Sequence, residues 1–144
     1  MIDIYTDGSC LKYTGHSRGR GGWAFILIEK DTTWEICGNE ENSTNNRTEL
    51  LAVVNALKFV GKETDINLYS DSQYVIIGIE VWLNKWFTKR RKNPNIKNFE
   101  LWVELYNMIK DKNIRCNWIK SHSGNIYNER VDELAKKEAK KLNI

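Results

Sequence analysis

Residues 41–71 read ENSTNNRTELLAVVNALKFVGKETDINLYSD, and the change of period inside this stretch decides the fold. Leu50, Val53, Val54 and Leu57 recur at helical spacing, with Ala52 and Ala56 beside them. Ser43 to Asn46 supply helix-start residues and Gly61 a stop. From Asp65 to Ser70 the pattern alternates with period two, which is a strand. Upstream, Ile2, Ile4 and Thr6 point one way and Asp3, Tyr5 and Asp7 the other, so Met1 to Ser9 reads as a strand ended by Gly8-Ser9. A Gly-, Ser- and base-rich loop is expected to about Gly21. A buried strand over Trp23–Glu29 follows, then a turn at Asp31-Thr32 and a third strand near Thr33–Gly38. These three form an antiparallel meander.

Downstream, the spacing predicts a helix from Ser72 to about Trp86, a basic loop from Thr88 to Asn98 containing the only Pro, and a helix over Phe99–Lys112. A strand over Ile114–Ile119 and a helix over Asn128–Leu142 complete the chain, the helix burying Val131, Leu134, Ala135 and Leu142. The order is βββ-α-β-α(α)-α-β-α. Strands separated by helices imply parallel crossovers, so the expected class is α/β, a five-stranded mixed sheet with helices on both faces.

At 144 residues the chain is one domain with room for a real core. With 41% hydrophobic and 28% charged residues it is not disordered. No apolar run approaches the ~20 residues of a membrane span, and no signal peptide is visible. The three cysteines, Cys10, Cys37 and Cys116, are odd in number and far apart, which fits neither a disulfide framework nor a zinc site. A cytoplasmic setting is expected. The net charge of +3 hides an asymmetry. Residues 81–98 carry Lys85, Lys89, Arg90, Arg91, Lys92 and Lys97 and no acid, leaving 16 basic against 19 acidic residues elsewhere. A localised patch of this kind points to a polyanion partner.

Two strand ends match: Ile4-Tyr5-Thr6-Asp7 and Leu68-Tyr69-Ser70-Asp71. Ligands of open α/β sheets bind outside the carboxyl ends of the strands. If the two strands are parallel neighbours, Asp7 and Asp71 sit side by side, and a cation is the natural stabiliser. Each Asp has an ordinary alternative, since Asp71 before a helix can cap it. Glu49 lies on the inward edge of its helix, although with Asn46 as N-cap it would be a capping-box Glu. Asp132, near the start of the last helix, either joins the acids or complements the helix dipole. His122, in Lys-Ser-His-Ser-Gly, is a surface histidine or a proton carrier. Carboxylates suit Mg²⁺ or Mn²⁺ rather than zinc, and pairs of such ions serve phosphodiester hydrolysis.

Four strings bring a family into view: Tyr5-Thr6-Asp7-Gly8-Ser9-Cys10, Thr44-Asn45-Asn46-Arg47-Thr48-Glu49-Leu50, Tyr69-Ser70-Asp71-Ser72-Gln73-Tyr74-Val75, and Asn128-Glu129-Arg130-Val131-Asp132-Glu133-Leu134-Ala135. In this order and spacing the chain closely resembles ribonuclease H, type 1, over nearly its whole length, as one domain spanning 1–144. The resemblance implies a ribonuclease H-like fold and endonucleolytic cleavage of the RNA strand of an RNA/DNA hybrid, leaving 5′-phosphate and 3′-hydroxyl ends. It implies that Asp7, Glu49, Asp71 and Asp132 hold two Mg²⁺ ions, with Mn²⁺ as a substitute, and that His122 handles protons or product release. Trp82 and Trp86 match aromatics lining the DNA-strand channel, beside a basic protrusion that includes Lys89, Arg90 and Arg91. Thr44 and Asn98 match a DNA-phosphate pocket. Asn45, Asn46 and Gln73 match residues that face the minor groove. The expected partner is the hybrid, with no membrane and no second subunit.

The chain also departs from the family pattern. Residues 11–20 form a longer, more basic loop than usual, and Ser121 stands where a Gly is common before the histidine. Two other readings are a binding module without catalysis and a DNA nuclease or junction resolvase on the same kind of fold. No Gly-x-Ser-x-Gly elbow supports a serine hydrolase.

Overall fold

In the computed structural model, residues 1–63, 65–88 and 96–141 are described. Strand β1 (Ile2–Lys12) pairs antiparallel with β2 (Gly19–Glu29), and β2 pairs antiparallel with β3 (Thr32–Ser43). Helix α1 (Asn45–Val60) crosses over to β4 (Asp65–Ser70), which lies parallel to β1. Helices α2 (Gln73–Ile77) and α3 (Leu83–Thr88) are joined by a π-helical segment, Gly78–Trp82. Helix α4 (Phe99–Ile109), strand β5 (Asn113–Trp118), parallel to β4, and helix α5 (Ile126–Lys141) follow. The sheet order is β3-β2-β1-β4-β5, the five-stranded mixed sheet the periods imply.

One face of the sheet is covered by α1 and α4. Ile2, Ile4, Phe25, Leu27, Ile66 and Leu68 meet Leu50, Val53, Leu57, Leu101, Trp102 and Leu105 there, all buried. Each such side chain contributes roughly 1.5–3 kcal/mol on full burial. The opposite face carries α5, where Val131 and Ala135 pack on Ala24 and Ile26, with Leu134 partly buried beside them. Helices therefore sit on both faces. Leu142, expected in the α5 stripe, lies outside the described residues.

The meander differs from expectation. β1 does not stop at Gly8-Ser9 but runs on to Lys12, with Ser9 opposite Gly22 and Lys12 opposite Gly19. Gly19 and Gly21, expected in the loop, stand in β2 where neighbours approach closely: a Cβ on Gly21 would lie 2.5 Å from the Thr48 side chain and 2.8 Å from that of Ser43. The connecting loop is residues 13–18 alone. β3 likewise extends five residues past Gly38, to Ser43. At the C-terminal side, α5 begins two residues earlier than its pattern suggests, at Ile126, with the Asn125 side chain accepting from the Tyr127 and Asn128 N–H groups.

Candidate active site

The parallel pairing of β1 with β4, Tyr5 opposite Tyr69, brings the two matching strand ends together. Their tyrosine rings stack at 4.5 Å, and two residues further on come Asp7, still paired with Ala24 inside β1, and Asp71, just past the end of β4. Helix α1 sets Glu49 against them. One ligand oxygen each from Asp7, Glu49 and Asp71 lies within 4.8 Å of the others.

The bland alternatives for two of these residues fail on geometry. The N-cap of α1 is Thr44, whose hydroxyl accepts from the Arg47 N–H at 3.2 Å, so Asn46 is not the cap and Glu49 is no capping-box residue. The N-cap of α2 is Ser72, accepting from the Val75 N–H at 3.2 Å, which leaves Asp71 free of capping.

Gly8, in β1, makes this approach possible. Its N–H lies 2.9 Å from both Asp7 Oδ1 and Glu49 Oε1, donating to each. A Cβ there would sit 2.5 Å from the backbone of Thr48 and Glu49, so only glycine lets α1 close on β1.

The trio is electrostatically costly as it stands. Burial, followed by the Asp71 charge, pushes Asp7 up to about 7, although the contact with Glu49 and the Gly8 N–H oppose this. Burial and the neighbouring Asp7 raise Glu49 well above the ordinary carboxylate range. Asp7 Oδ2 and Glu49 Oε2 are sealed from solvent with no hydrogen-bond partner. Unpaired buried acceptors of this kind are expensive. Converging carboxylate oxygens, two of them with no donor, fit a hard divalent cation such as Mg²⁺ or Mn²⁺.

Asp132 stands apart from that trio. It is the seventh residue of α5, past the first turn where the helix dipole acts, and it pairs with Lys136 at 2.9 Å. Its charge nevertheless contributes to the upward push on Asp7. His122 is exposed, with a left-handed backbone (φ 56°), on the turn between β5 and α5. The preceding Ser121 donates its hydroxyl to Asp71 Oδ2 at 2.8 Å, a link between residues fifty positions apart that no local pattern marks.

A second feature lies on the same side of the sheet. Thr44, Asn45, Asn46 and Asn98 line an open depression of about 510 Å³ together with Lys12, Arg18 and Lys97. Asn98 is aimed by its neighbours, accepting from Arg47 Nη1 and donating to the Tyr74 hydroxyl, both at 3.3 Å. Arg18 is held on Asn42, its Nη2 donating to the Asn42 carbonyl at 2.7 Å. Gln73 is exposed at the start of α2. Trp82 and Trp86 stack at 5.8 Å, pack edge-on against the buried Trp102 and remain partly exposed, so they serve the core as well as any surface role. Lys89, Arg90 and Arg91 lie outside the described residues.

A mixed α/β sheet whose two neighbouring parallel strands bring carboxylates together carries a donor set of the kind that serves metal-assisted phosphodiester hydrolysis. The family model for RNase H matches residues 1–140. A ribonuclease H of Wolbachia sp. subsp. Drosophila simulans (strain wRi) is 47% identical over 139 residues, covering 94% of this chain and 93% of its own. The chain belongs to the ribonuclease H family and is a nuclease. Among solved structures, LC9-RNase H1, a type 1 RNase H with the type 2 active-site motif, superposes with a TM-score of 0.84 at 25% identity, over 96% of this chain and 71% of that one. LC11-RNase H1, solved in complex with an RNA/DNA hybrid, shares the fold with a TM-score of 0.75 at 19% identity, over the whole of both chains.

Proposed function

We propose that the chain is an endoribonuclease that hydrolyses the RNA strand of RNA/DNA hybrids, leaving 5′-phosphate and 3′-hydroxyl ends. The observation that carries this reading is the buried trio of Asp7, Glu49 and Asp71 with two orphaned oxygens. These three would hold two Mg²⁺ or Mn²⁺ ions, with Asp132 completing the set. Once bound, such ions supply an activated water and stabilise the departing 3′-oxygen.

The chain's own residues do the rest. Asp7, on the central strand of the sheet, would be one of the residues that hold the metal. His122, exposed and one residue from the Ser121–Asp71 hydrogen bond, takes or delivers a proton as product leaves. Asn45, Asn46 and Gln73 carry amides that both donate and accept, as recognition of a 2′-hydroxyl requires. Thr44 and Asn98, beside Lys12, Arg18 and Lys97, receive a phosphate of the DNA strand. Trp82 and Trp86 offer ring faces to that strand. The basic run with Lys89, Arg90 and Arg91 supplies sequence-independent affinity. The fold is one that, in LC11-RNase H1, was solved in complex with a hybrid.

We further propose a monomeric, cytoplasmic protein built as one domain. In support, Cys10, Cys37 and Cys116 are free. Among the described residues no helix is long and apolar enough to cross a membrane. Cleavage of a labelled hybrid, compared with duplex DNA and duplex RNA, tests the proposal: cutting confined to the RNA of the hybrid supports it, and preferential cutting of duplex DNA replaces it with the resolvase-like reading.

A further inference from the structure

Of the three clustered carboxylates, Asp71 is held differently from the other two. Asp7 and Glu49 share the Gly8 N–H and are enclosed between β1 and α1. Asp71 is partly exposed at the end of β4, on the open side of the site. Its backbone is fixed from β5: the Ile119 N–H donates to the Ser70 carbonyl at 2.9 Å, and Trp118 Nε1 donates to the Asp71 carbonyl at 3.1 Å. The side chain is reached from the same segment, by the Ser121 hydroxyl on Oδ2 at 2.8 Å. A hydroxyl donating to an ionised carboxylate makes one of the stronger kinds of hydrogen bond. It occupies one oxygen and leaves the other for a ligand.

The turn that carries Ser121 is held on its far side as well. Ser123 Oγ donates to the Lys120 carbonyl at 2.6 Å, and His122 between them takes a left-handed backbone. Fixing Ser121 on Asp71 therefore fixes where the His122 backbone begins. Ser121 is thus a side chain that joins a carboxylate of the cluster to the histidine turn.

We propose that Ser121 is a positioning residue of the nuclease site, orienting the Asp71 carboxylate toward a divalent cation and anchoring the His122 turn to it. The inference rests on the reading of Asp7, Glu49 and Asp71 as a metal site. Outer partners that orient metal-bound carboxylates typically change affinity or activity ~10–100-fold when removed. The lower end applies here, because Ser121 is exposed and water can replace its hydroxyl in part.

The test is Mn²⁺ titration of the full chain by calorimetry, without substrate, for the unsubstituted protein, Ser121→Ala and Ser121→Thr, beside steady-state cleavage of a hybrid. Because Ser121 is exposed, neither substitution threatens the fold. Ser121→Ala is expected to bind Mn²⁺ about tenfold more weakly and to lose kcat with little change in KM, and Ser121→Thr, which keeps the hydroxyl, to recover both. Equal Mn²⁺ affinity in the serine and alanine proteins overturns the inference, as does a threonine variant as weak as alanine. If the unsubstituted protein binds no Mn²⁺, the metal reading of the carboxylates fails first and this inference falls with it.

Discussion

Replacing Asp7 by Asn removes one charge from the buried trio and keeps its shape, since the amide Oδ1 can still accept from the Gly8 N–H that lies 2.9 Å from Asp7 Oδ1. In the folded chain Asp7 is raised from 3.8 to about 7, chiefly by burial, and Glu49 is raised with it. A raised acid holds its proton more tightly folded than unfolded. Between about pH 4 and 7 the folded chain therefore binds more protons, and stability falls as pH rises across that window. The loss is complete above about 7. A rise from 3.8 to about 7 corresponds to at most about 4 kcal/mol, shared between coupled carboxylates. Relieving one charge should return ~1–2 kcal/mol at pH 7.5 in chelator and almost nothing at pH 4. Urea midpoints at the two pH values, with and without Mg²⁺, measure this. Mg²⁺ at a hundred times its dissociation constant should stabilise the unsubstituted protein by about 2.7 kcal/mol, and the Asn variant far less. Cleavage should nearly vanish while hybrid binding remains. An Asn variant less stable than the original at pH 7.5 in chelator, or equally stabilised by Mg²⁺, would refute the electrostatic reasoning.

Other substitutions probe separate parts of the site. Gly8→Ala forces a methyl to 2.5 Å from the α1 backbone. It should cost ~1–3 kcal/mol in urea unfolding, as overpacking does, and weaken Mn²⁺ binding by moving Glu49 away from Asp7. His122→Ala should slow cleavage by ~10²–10⁴-fold and alter the pH–rate profile, with Mn²⁺ affinity retained in calorimetry. Neutralising Lys89, Arg90 and Arg91 together should raise KM and flatten the salt dependence of hybrid binding, each lost phosphate contact removing a log–log slope of about 0.9. Identical slopes in the triple variant would mean that the run does not touch substrate.

The parts of this molecule that were legible in its sequence were those where one period or one residue type permits a single structure. The helix over residues 45–60 and the strand after it showed in the spacing of Leu50, Val53 and Leu57 and in the alternation of Asp65–Ser70. The pairing of Asp7 with Asp71 followed once those strands were parallel neighbours, as β1 and β4 are. Glu49 was ambiguous because a carboxylate near a helix start can serve the backbone or the core. The cap on Thr44 rather than Asn46 resolves it. Glycine was the main source of error. Gly19 and Gly21 signal a turn by composition, yet they stand in β2, Gly19 against the β1 backbone and Gly21 against the Thr48 and Ser43 side chains. That crowding is tertiary and leaves no local pattern. Ser121 was equally opaque, since its meaning depends on Asp71, fifty positions earlier in the chain. Asp132 remains linked to the site by the family resemblance and by its field at Asp7 rather than by membership of the trio.

The acidic trio is proposed to be a metal-dependent centre for cutting RNA paired with DNA. Its most direct measurement is cleavage of an end-labelled RNA/DNA hybrid by the purified chain in Mg²⁺ and in chelator, with duplex DNA and duplex RNA alongside. Mg²⁺-dependent cuts are expected within the RNA strand of the hybrid alone, with 5′-phosphate ends, abolished by chelator and restored by added Mg²⁺. Undiminished cleavage in chelator, or no cleavage of the hybrid in Mg²⁺ or Mn²⁺, would contradict it.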